Sequence, residues 1–464
     1  MKVSEKVINE YKSNSKTKHV TLHFPELGID VGMEFIHFET MDLQEALVEN
    51  ENIEFVGCIA SQFKIDVNGL KQDVKGRKIV VDICTDNTLD EPVKLFNGIV
   101  DSALKTGNKQ VKEIIAYDEL HTKGDIDVAA WYKSQKFPET IKEFRDSLFA
   151  FLGIEQIEIT LPNDDIVIQK QYDPNTLQAI SVIKAICQIN GAFGIMNRDG
   201  KFEYRIMGEI YDDGTYPGID LFPGPDTFPG AGSATRDVDI EQTNFSFYKS
   251  VQYEEFEVKP VDKVTIRQSE DDAGTTYGDG ENNYIIQGNM FTYGLSKDVL
   301  QTVAENVYNS VQGFSYYPYK ADNNGLPFVE CGLNVVTYMV IDYEATFSED
   351  NILGDIIYEE KQFPVLNRNL TGIQALRDNY TADGEEYQSE FVTDLQTQID
   401  ILKKKQSSDV TRDYLDENYY NQNQIDDMLA NFPGGGANIV SVDAIPEVYQ
   451  NNTIYCVQGT VVIE

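Results

Sequence analysis

Residues 93–120 read VKLFNGIVDSALKTGNKQVKEIIAYDEL, and the class of the fold turns on them. Two apolar-rich runs, 93–100 and 110–117, flank Gly107-Asn108, residue types that let a chain reverse. Upstream the period of two continues: Val20, Leu22 and Phe24 alternate with polar neighbours, and strand-like runs follow at 53–59, 63–67 and 78–84. Six short strands divided by Gly, Asn and Asp predict an antiparallel barrel or sandwich. Ahead of them, Val3, Val7, Ile8 and Tyr11 fall at helical spacing and predict a short amphipathic helix.

Downstream, the period changes. Thr140-Ile-Lys-Glu143 is a capping box before Phe144, Leu148, Phe151 and Leu152, and Gly153 stands where a helix would terminate. A second helix is predicted through Leu177, Ile180, Ile183 and Cys187, stopping at Gly191. The next residues read as strand, Asn197–Gly200 turn, strand, because Asp199-Gly200 supplies the positive φ of a tight hairpin. Residues 212–234 hold too much Pro and Gly for a sheet interior and predict an exposed loop or linker.

Strand-like alternation resumes at 245–258, 263–268, 335–341 and 355–368. A third helix is predicted among these, with Ser296 as N-cap, Leu300, Val303, Val307 and Val311 as its buried stripe, and Gly313 ending it. Val392, Leu395, Ile399 and Leu402 then keep the 3-4-3 spacing of a coiled-coil seam. Two heptads are too few to stand alone, so the seam reads as a stalk on something already oligomerised. Tyr419, Ile425, Met428 and Leu429 share one helical phase, Pro433–Gly436 forms a break, and runs at 438–442 and 453–463 close the chain as a small β element.

The chain has 464 residues, 41% of them apolar, which is enough for real cores. Its 26 Tyr and 24 Phe suit β-rich packing. A formal charge of −39 repels phosphate backbones and anionic surfaces, so stable nucleic-acid binding is not expected. Cys58, Cys84, Cys187, Cys331 and Cys456 form no CxxC pair, and buried free thiols of a reducing compartment are expected. The first residues lack an apolar signal core and no run of 18 apolar residues occurs, so synthesis in the cytoplasm without a membrane span is expected.

Chemistry is sparse. His19 and His23 are four apart, but on a strand that spacing separates them by about 13 Å, too far for one metal. Asp118–Glu119 and Glu270–Asp272 are the carboxylates a glycosidase could use, yet adjacent acids arise readily among 77 and read as solvated surface. Residues 271–281 have the composition of a calcium loop without its ligand spacing. Cys331 has no nearby His and reads as a packed thiol. No catalytic residue, metal ligand or cofactor site is assigned.

Four stretches nevertheless resemble the tail hub, or tail-associated minor structural, proteins of phages infecting Gram-positive bacteria. Residues 93–120 are similar to the close of that family's first barrel, through Gly98, Val100, Ser102 and Ala116-Tyr117-Asp118. Residues 189–207 resemble its second module. GFSYYPYKADNNGLPFVECGLNV, 313–335, resembles the opening of its second barrel, a Y-x-P … P-x-x-E-x-G-D pattern, although Leu333 stands where the family has an acid after Gly332. LNRNLTGIQALRDNYTADGEE, 366–386, resembles the closing L-x-G-x-Q-x-L-x-D strand, and YYNQNQIDDMLANF, 419–432, resembles a short helix of phage tail fibres.

The resemblance implies a mainly β fold with interspersed helices: a barrel-like hub module at 1–125, an α+β module at 126–240, a second barrel-like module at 241–380, a coiled-coil stalk at 381–406 and a fibre-like helix with a small β element at 407–464. It implies a non-enzymatic virion protein, a homotrimer assembled in the host cytoplasm, adapting a hexameric tail tube to a threefold tip and closing the DNA path. Val392, Leu395, Ile399 and Leu402 would trimerise it; Tyr419, Tyr420, Ile425 and Leu429 would form the fibre-like helix. Partners would be the distal tail protein or tail tube, the tape measure protein, and a receptor-binding fibre or host surface glycan. The alternatives are a tail-tip enzyme cleaving wall or capsular glycan through an Asp/Glu pair, and a receptor-binding tip protein.

Overall fold

A computed structural model describes residues 3–11, 16–48, 57–105, 107, 110–169, 174–206, 248–269, 272–332, 334–344, 355–387, 438–442, 453–457 and 460–462. The chain divides into two compact units, Met1–Gln398 and Ile399–Glu464.

The first unit opens with α1 (Glu5–Tyr11), followed by β1 (Lys18–Phe24), β2 (Ile29–Val31), β3 (Asp42–Ala46), β4 (Gln62–Asn68), β5 (Lys78–Thr85), β6 (Val93–Lys105) and β7 (Val111–Tyr117). A helical stretch comprises α2 (Glu119–Gly124), α3 (Ala129–Ser134), β8 (Glu139–Thr140), α4 (Ile141–Leu152), β9 (Val167–Ile168) and α5 (Ala179–Asn190). Next come the hairpin β10 (Phe193–Met196) and β11 (Phe202–Arg205), then β12 (Tyr248–Tyr253), β13 (Lys263–Arg267), β14 (Thr275–Gly278), β15 (Asn283–Gln287) and α6 (Lys297–Val311). β16 (Tyr319–Asn324), β17 (Asn334–Glu344), β18 (Asp355–Pro364), β19 (Asn367–Thr371) and β20 (Arg377–Ala382) complete this unit. The second unit holds β21 (Asn438–Val442), β22 (Thr453–Val457) and β23 (Thr460–Val462).

The fold is mainly β. Eleven strands form one antiparallel sheet in the order β12-β16-β20-β19-β3-β4-β7-β6-β5-β1-β2. β1 and β5 alternate strictly between buried and half-buried residues, so one face lies on the core, where Val20, Leu22, Phe24, Ile79, Val81 and Ile83 pack. The decisive pairing is β19 with β3, register Asn367↔Ala46 to Thr371↔Asp42, because it joins strands more than 300 residues apart. The sheet also curls: the side chain of Gln374, in the β19–β20 turn, pairs with the backbone of Lys18 on β1 like a missing strand residue. Its Oε1 accepts from Lys18 N at 3.1 Å and its Nε2 donates to Lys18 O at 2.6 Å.

The predicted helices form for the predicted reasons. Thr140 Oγ1 accepts from Glu143 N at 3.1 Å while Glu143 Oε2 accepts from Thr140 N at 2.9 Å, and Gly153 closes α4 at φ 67°. Gly191 closes α5 at φ 61°, and Ser296 caps α6. The hairpin turn forms at Asn197–Gly200, with Gly200 at φ 78°.

Other expectations need correction. The run 355–368 divides at Pro364, which lacks an amide donor, into β18 paired with β17 and β19 paired with β3 and β20. α6 ends on Gln312 in right-handed geometry, so no left-handed glycine terminates it. The run 453–463 is a hairpin, β22 with β23. β2, β3, α2 and α3 carried no periodic signal, being three to six residues long. Residues 53–56, 212–234, 392–402, 419–432 and 433–436 lie outside the described residues. Among the described residues, no helix is long and apolar enough to cross a membrane.

Gly98 shows why its position admits no side chain. A Cβ there would lie 2.2 Å from Tyr117 O on β7 and 2.6 Å from the Phe96 ring. Gly98→Ala is expected to lower unfolding free energy by about 1–3 kcal/mol through this overpacking; an unchanged urea midpoint would refute the close β6–β7 approach.

Candidate functional site: a buried arginine junction

Where the segments 1–125, 126–240 and 241–380 meet, three arginines converge on the loop after β16. Arg368, on β19, is 2% exposed. Its Nε and Nη2 donate to Asp378 Oδ1 and Oδ2, both at 2.8 Å, in a bidentate pair. Nη1 donates to Glu45 Oε2 at 2.8 Å and to Val329 O at 2.6 Å; Nη2 also reaches Leu326 O at 2.9 Å. All five guanidinium N–H groups are thereby used.

The strand register places these groups. Arg368 stands opposite Glu45 of β3 and Tyr380 of β20, and Asp378, two residues before Tyr380, is its diagonal neighbour. Tyr380 Oη donates to Asp378 Oδ2 at 2.8 Å.

Arg198, in the β10–β11 turn, donates to Pro327 O, to Val329 O at 2.7 Å and to Glu45 Oε2 at 3.3 Å. Arg205, on β11, holds Glu203 Oε1 at 2.9 Å and Glu330 Oε2 at 2.8 Å. Burial alone would raise the Glu330 carboxyl, but the surrounding cations, Arg198 and Arg205 among them, hold it down at about 2. Gly332, at φ 90°, leaves room for the Arg205 stem: a Cβ there would come within 2.7 Å of Arg205 Cδ.

The motif positions are thus structural parts. Glu330 and Gly332 of the P-x-x-E-x-G stretch bind and clear Arg205. In the closing strand, Leu370 is buried, Gly372 turns the chain at φ 69°, Gln374 ties to β1 and Asp378 holds Arg368. Asp118 belongs to the same class. It is 2% exposed and N-caps α2, Oδ1 accepting from Leu120 N at 2.9 Å and Oδ2 from Ser61 N at 2.6 Å. Both oxygens are committed to backbone, so Asp118 is not placed to act on a glycan; Glu119 simply begins the helix.

The remaining candidates separate. His19 pairs with Asp86 at 2.6 Å, and His23 with Asp30 at 2.8 Å and Asp82 at 3.3 Å, so each imidazole has its own carboxylate. Glu270 and Asp271 lie outside the described residues, while Asp272 accepts from Gln268 N and Gly274 N and shapes the turn before β14. Cys331 is buried, which pushes its thiol well above its ordinary value. Val392, Leu395, Ile399, Leu402, Tyr419, Tyr420, Ile425 and Leu429 lie outside the described residues. Sequence reasoning passed over the arginines, yet parity signalled one: Leu366, Arg368 and Leu370 share a strand face, and the two leucines are buried.

Two measurements check the electrostatics. Removing one partner of a buried pair strands the other, so Arg368→Ala is expected to cost about 3–5 kcal/mol in chemical denaturation; a loss under about 1 kcal/mol would mean the junction is solvated. Burial raises the Asp118 carboxyl from 3.8 to about 7 against the pull of the Ser61 and Leu120 amides. The folded chain therefore holds this proton more tightly than the unfolded chain. Its contribution is complete below pH 3.8 and is lost as pH rises through about 7. Relative to Asp118→Asn, the parent should lose on the order of a few kcal/mol between about pH 4 and about pH 7.5; a constant difference would show an ordinary carboxyl.

No family model matches the chain, and no curated protein does. Solved structures do. The 43 kDa tail protein of prophage MuSo2 from Shewanella oneidensis aligns over 79% of this chain and 99% of its own, with 12% identity and TM-score 0.45. A tail protein from Neisseria meningitidis MC58 aligns over 80% and 100%, with 12% identity and TM-score 0.42. Prophage tail protein gp18 from Listeria monocytogenes EGD-e aligns over 83% and 99%, with 10% identity and TM-score 0.41.

Proposed function

We propose that this chain is a structural protein of a phage tail tip: a homotrimeric hub that adapts a hexameric tail tube to a threefold tip or fibre and closes the DNA path. The observation that carries this reading is the use made of the motif residues. Gly98, Asp118, Glu330, Gly332, Gln374 and Asp378, on which the tail-hub resemblance rests, are all spent on joining strands and loops. Residues used for packing and pairing and not for chemistry support a structural reading of the chain.

Physical arguments agree. A net charge of −39 keeps a passing polyanion from adhering to a bore. A two-heptad seam at Val392, Leu395, Ile399 and Leu402 can trimerise once a larger interface has offset the entropy of association. Its partners would be the distal tail protein or tube and the tape measure protein, and a fibre or host glycan would be met by the small β element at about 439–464.

Light scattering on the full chain, alone and with its tail partner, tests the proposal. The expected mass is three times 52.4 kDa; a monomer at micromolar concentration in both samples would overturn it. Leu395→Asn combined with Ile399→Asn should weaken the trimer while leaving the β-sheet circular dichroism of the chain unchanged. A trimer of parental stability would remove the seam from the account.

A further inference from the structure

We infer that Cys58 and Cys187 are a built pair for an intramolecular disulfide, a covalent modification independent of the functional reading above. Both are buried, at 3% and 0% exposure, and their Sγ atoms lie 3.5 Å apart. They come from distant parts of the chain, 129 positions apart. Cys187 sits on α5; Cys58 follows the backbone bond Gly194 N to Gly57 O, 2.8 Å, and forms a parallel bridge with Gly194 of β10.

Gly194 is what lets the sulfurs meet. A Cβ at that position would lie 2.6 Å from Cys58 Sγ and 3.0 Å from Cys187 Sγ, so both sulfurs occupy the space a side chain would fill. A disulfide needs the sulfurs at about 2.05 Å, an approach of about 1.5 Å shared between two side chains. Two further thiols differ: Cys84 is half-exposed, and Cys331 is buried beside the arginine junction.

The oxidant is a peroxide. One thiolate attacks the O–O bond of hydrogen peroxide, giving a sulfenic acid and water after proton transfer; the second thiol attacks that sulfenyl sulfur, forms the S–S bond and releases a second water. Two thiol protons and two electrons leave the pair, and the peroxide is reduced. Burial pushes the Cys187 thiol up and disfavours its thiolate, so the reaction is slow and proceeds through transient opening. Once formed, the bond ties the segment leading into β4 to α5 and restricts the unfolded chain.

The full chain, in native buffer, is exposed to hydrogen peroxide until Cys84 is oxidised, then quenched, unfolded in N-ethylmaleimide and mapped by peptide mass spectrometry. The expected product carries Cys58 and Cys187 in one cross-linked peptide pair, about 2 Da lighter than the two reduced peptides. It should melt at a higher temperature than the reduced chain, and a dithiol reductant should reverse both changes. Cys187→Ala should show neither. Recovery of Cys58 and Cys187 as separate maleimide adducts while Cys84 is oxidised would overturn the inference. A cross-link from either residue to Cys84, Cys331 or Cys456 would also overturn it. The map of the parent chain decides the matter even if the variant fails to fold.

Discussion

The bidentate bond between Arg368 and Asp378 is the constraint around which the first unit is arranged. A guanidinium taken out of water is tolerable only when its donors are matched, and here strands β3 and β20 and the loop at 326–329 supply the acceptors for Arg368 of β19 together. None of those elements can shift without stranding a buried charge. A one-residue slip of β19 would turn Arg368 outward and two neutral side chains inward. The ion pair therefore selects the register of the strand that joins the two ends of the large sheet.

Arg198 and Arg205 extend that logic to the helical segment. The β10–β11 hairpin is short and would be marginal alone, but its turn and its second strand each contribute an arginine that grips the loop carrying Glu330. Glu45, from the first seven strands, accepts from Arg198 and Arg368 at once. Residues from widely separated stretches thus share one network, and their burial is coupled. The apolar core around Phe144, Phe149, Phe202 and Tyr204 supplies the bulk stabilisation. The ions decide which elements meet where.

This arrangement leaves the junction little freedom to rearrange. Charged groups matched in geometry tolerate few alternatives, whereas an apolar junction of equal area can slide. Gln374 adds a further tie by completing the backbone pairing of Lys18, so the sheet is held in its curl by a side-chain amide. Asp118 fastens the end of β7 to the start of α2 and to the residue before β4. Such fastenings leave a mark in the sequence because each demands a particular side chain.

Much of this was legible in the one-dimensional pattern. Alternation marked β1, β4, β5, β6 and β7; the capping box and Gly153 bounded α4; Ser296 began α6; and Asp199-Gly200 made the hairpin turn. Each of these signals is local, set by side-chain periodicity and backbone preference within a few residues. The pairing of β19 with β3, the split at Pro364, the convergence of three arginines and the meeting of Cys58 with Cys187 were not legible, although parity placed Arg368 on an inward face. The strand pairing, the Arg198–Val329 and Arg205–Glu330 bonds and the thiol pair join residues 125 to more than 300 positions apart. Local propensity determined which segments became strands and helices; only the tertiary structure decided which of them are neighbours, because long-range pairing is set by the simultaneous satisfaction of buried charge and packing, which no short window of residues contains.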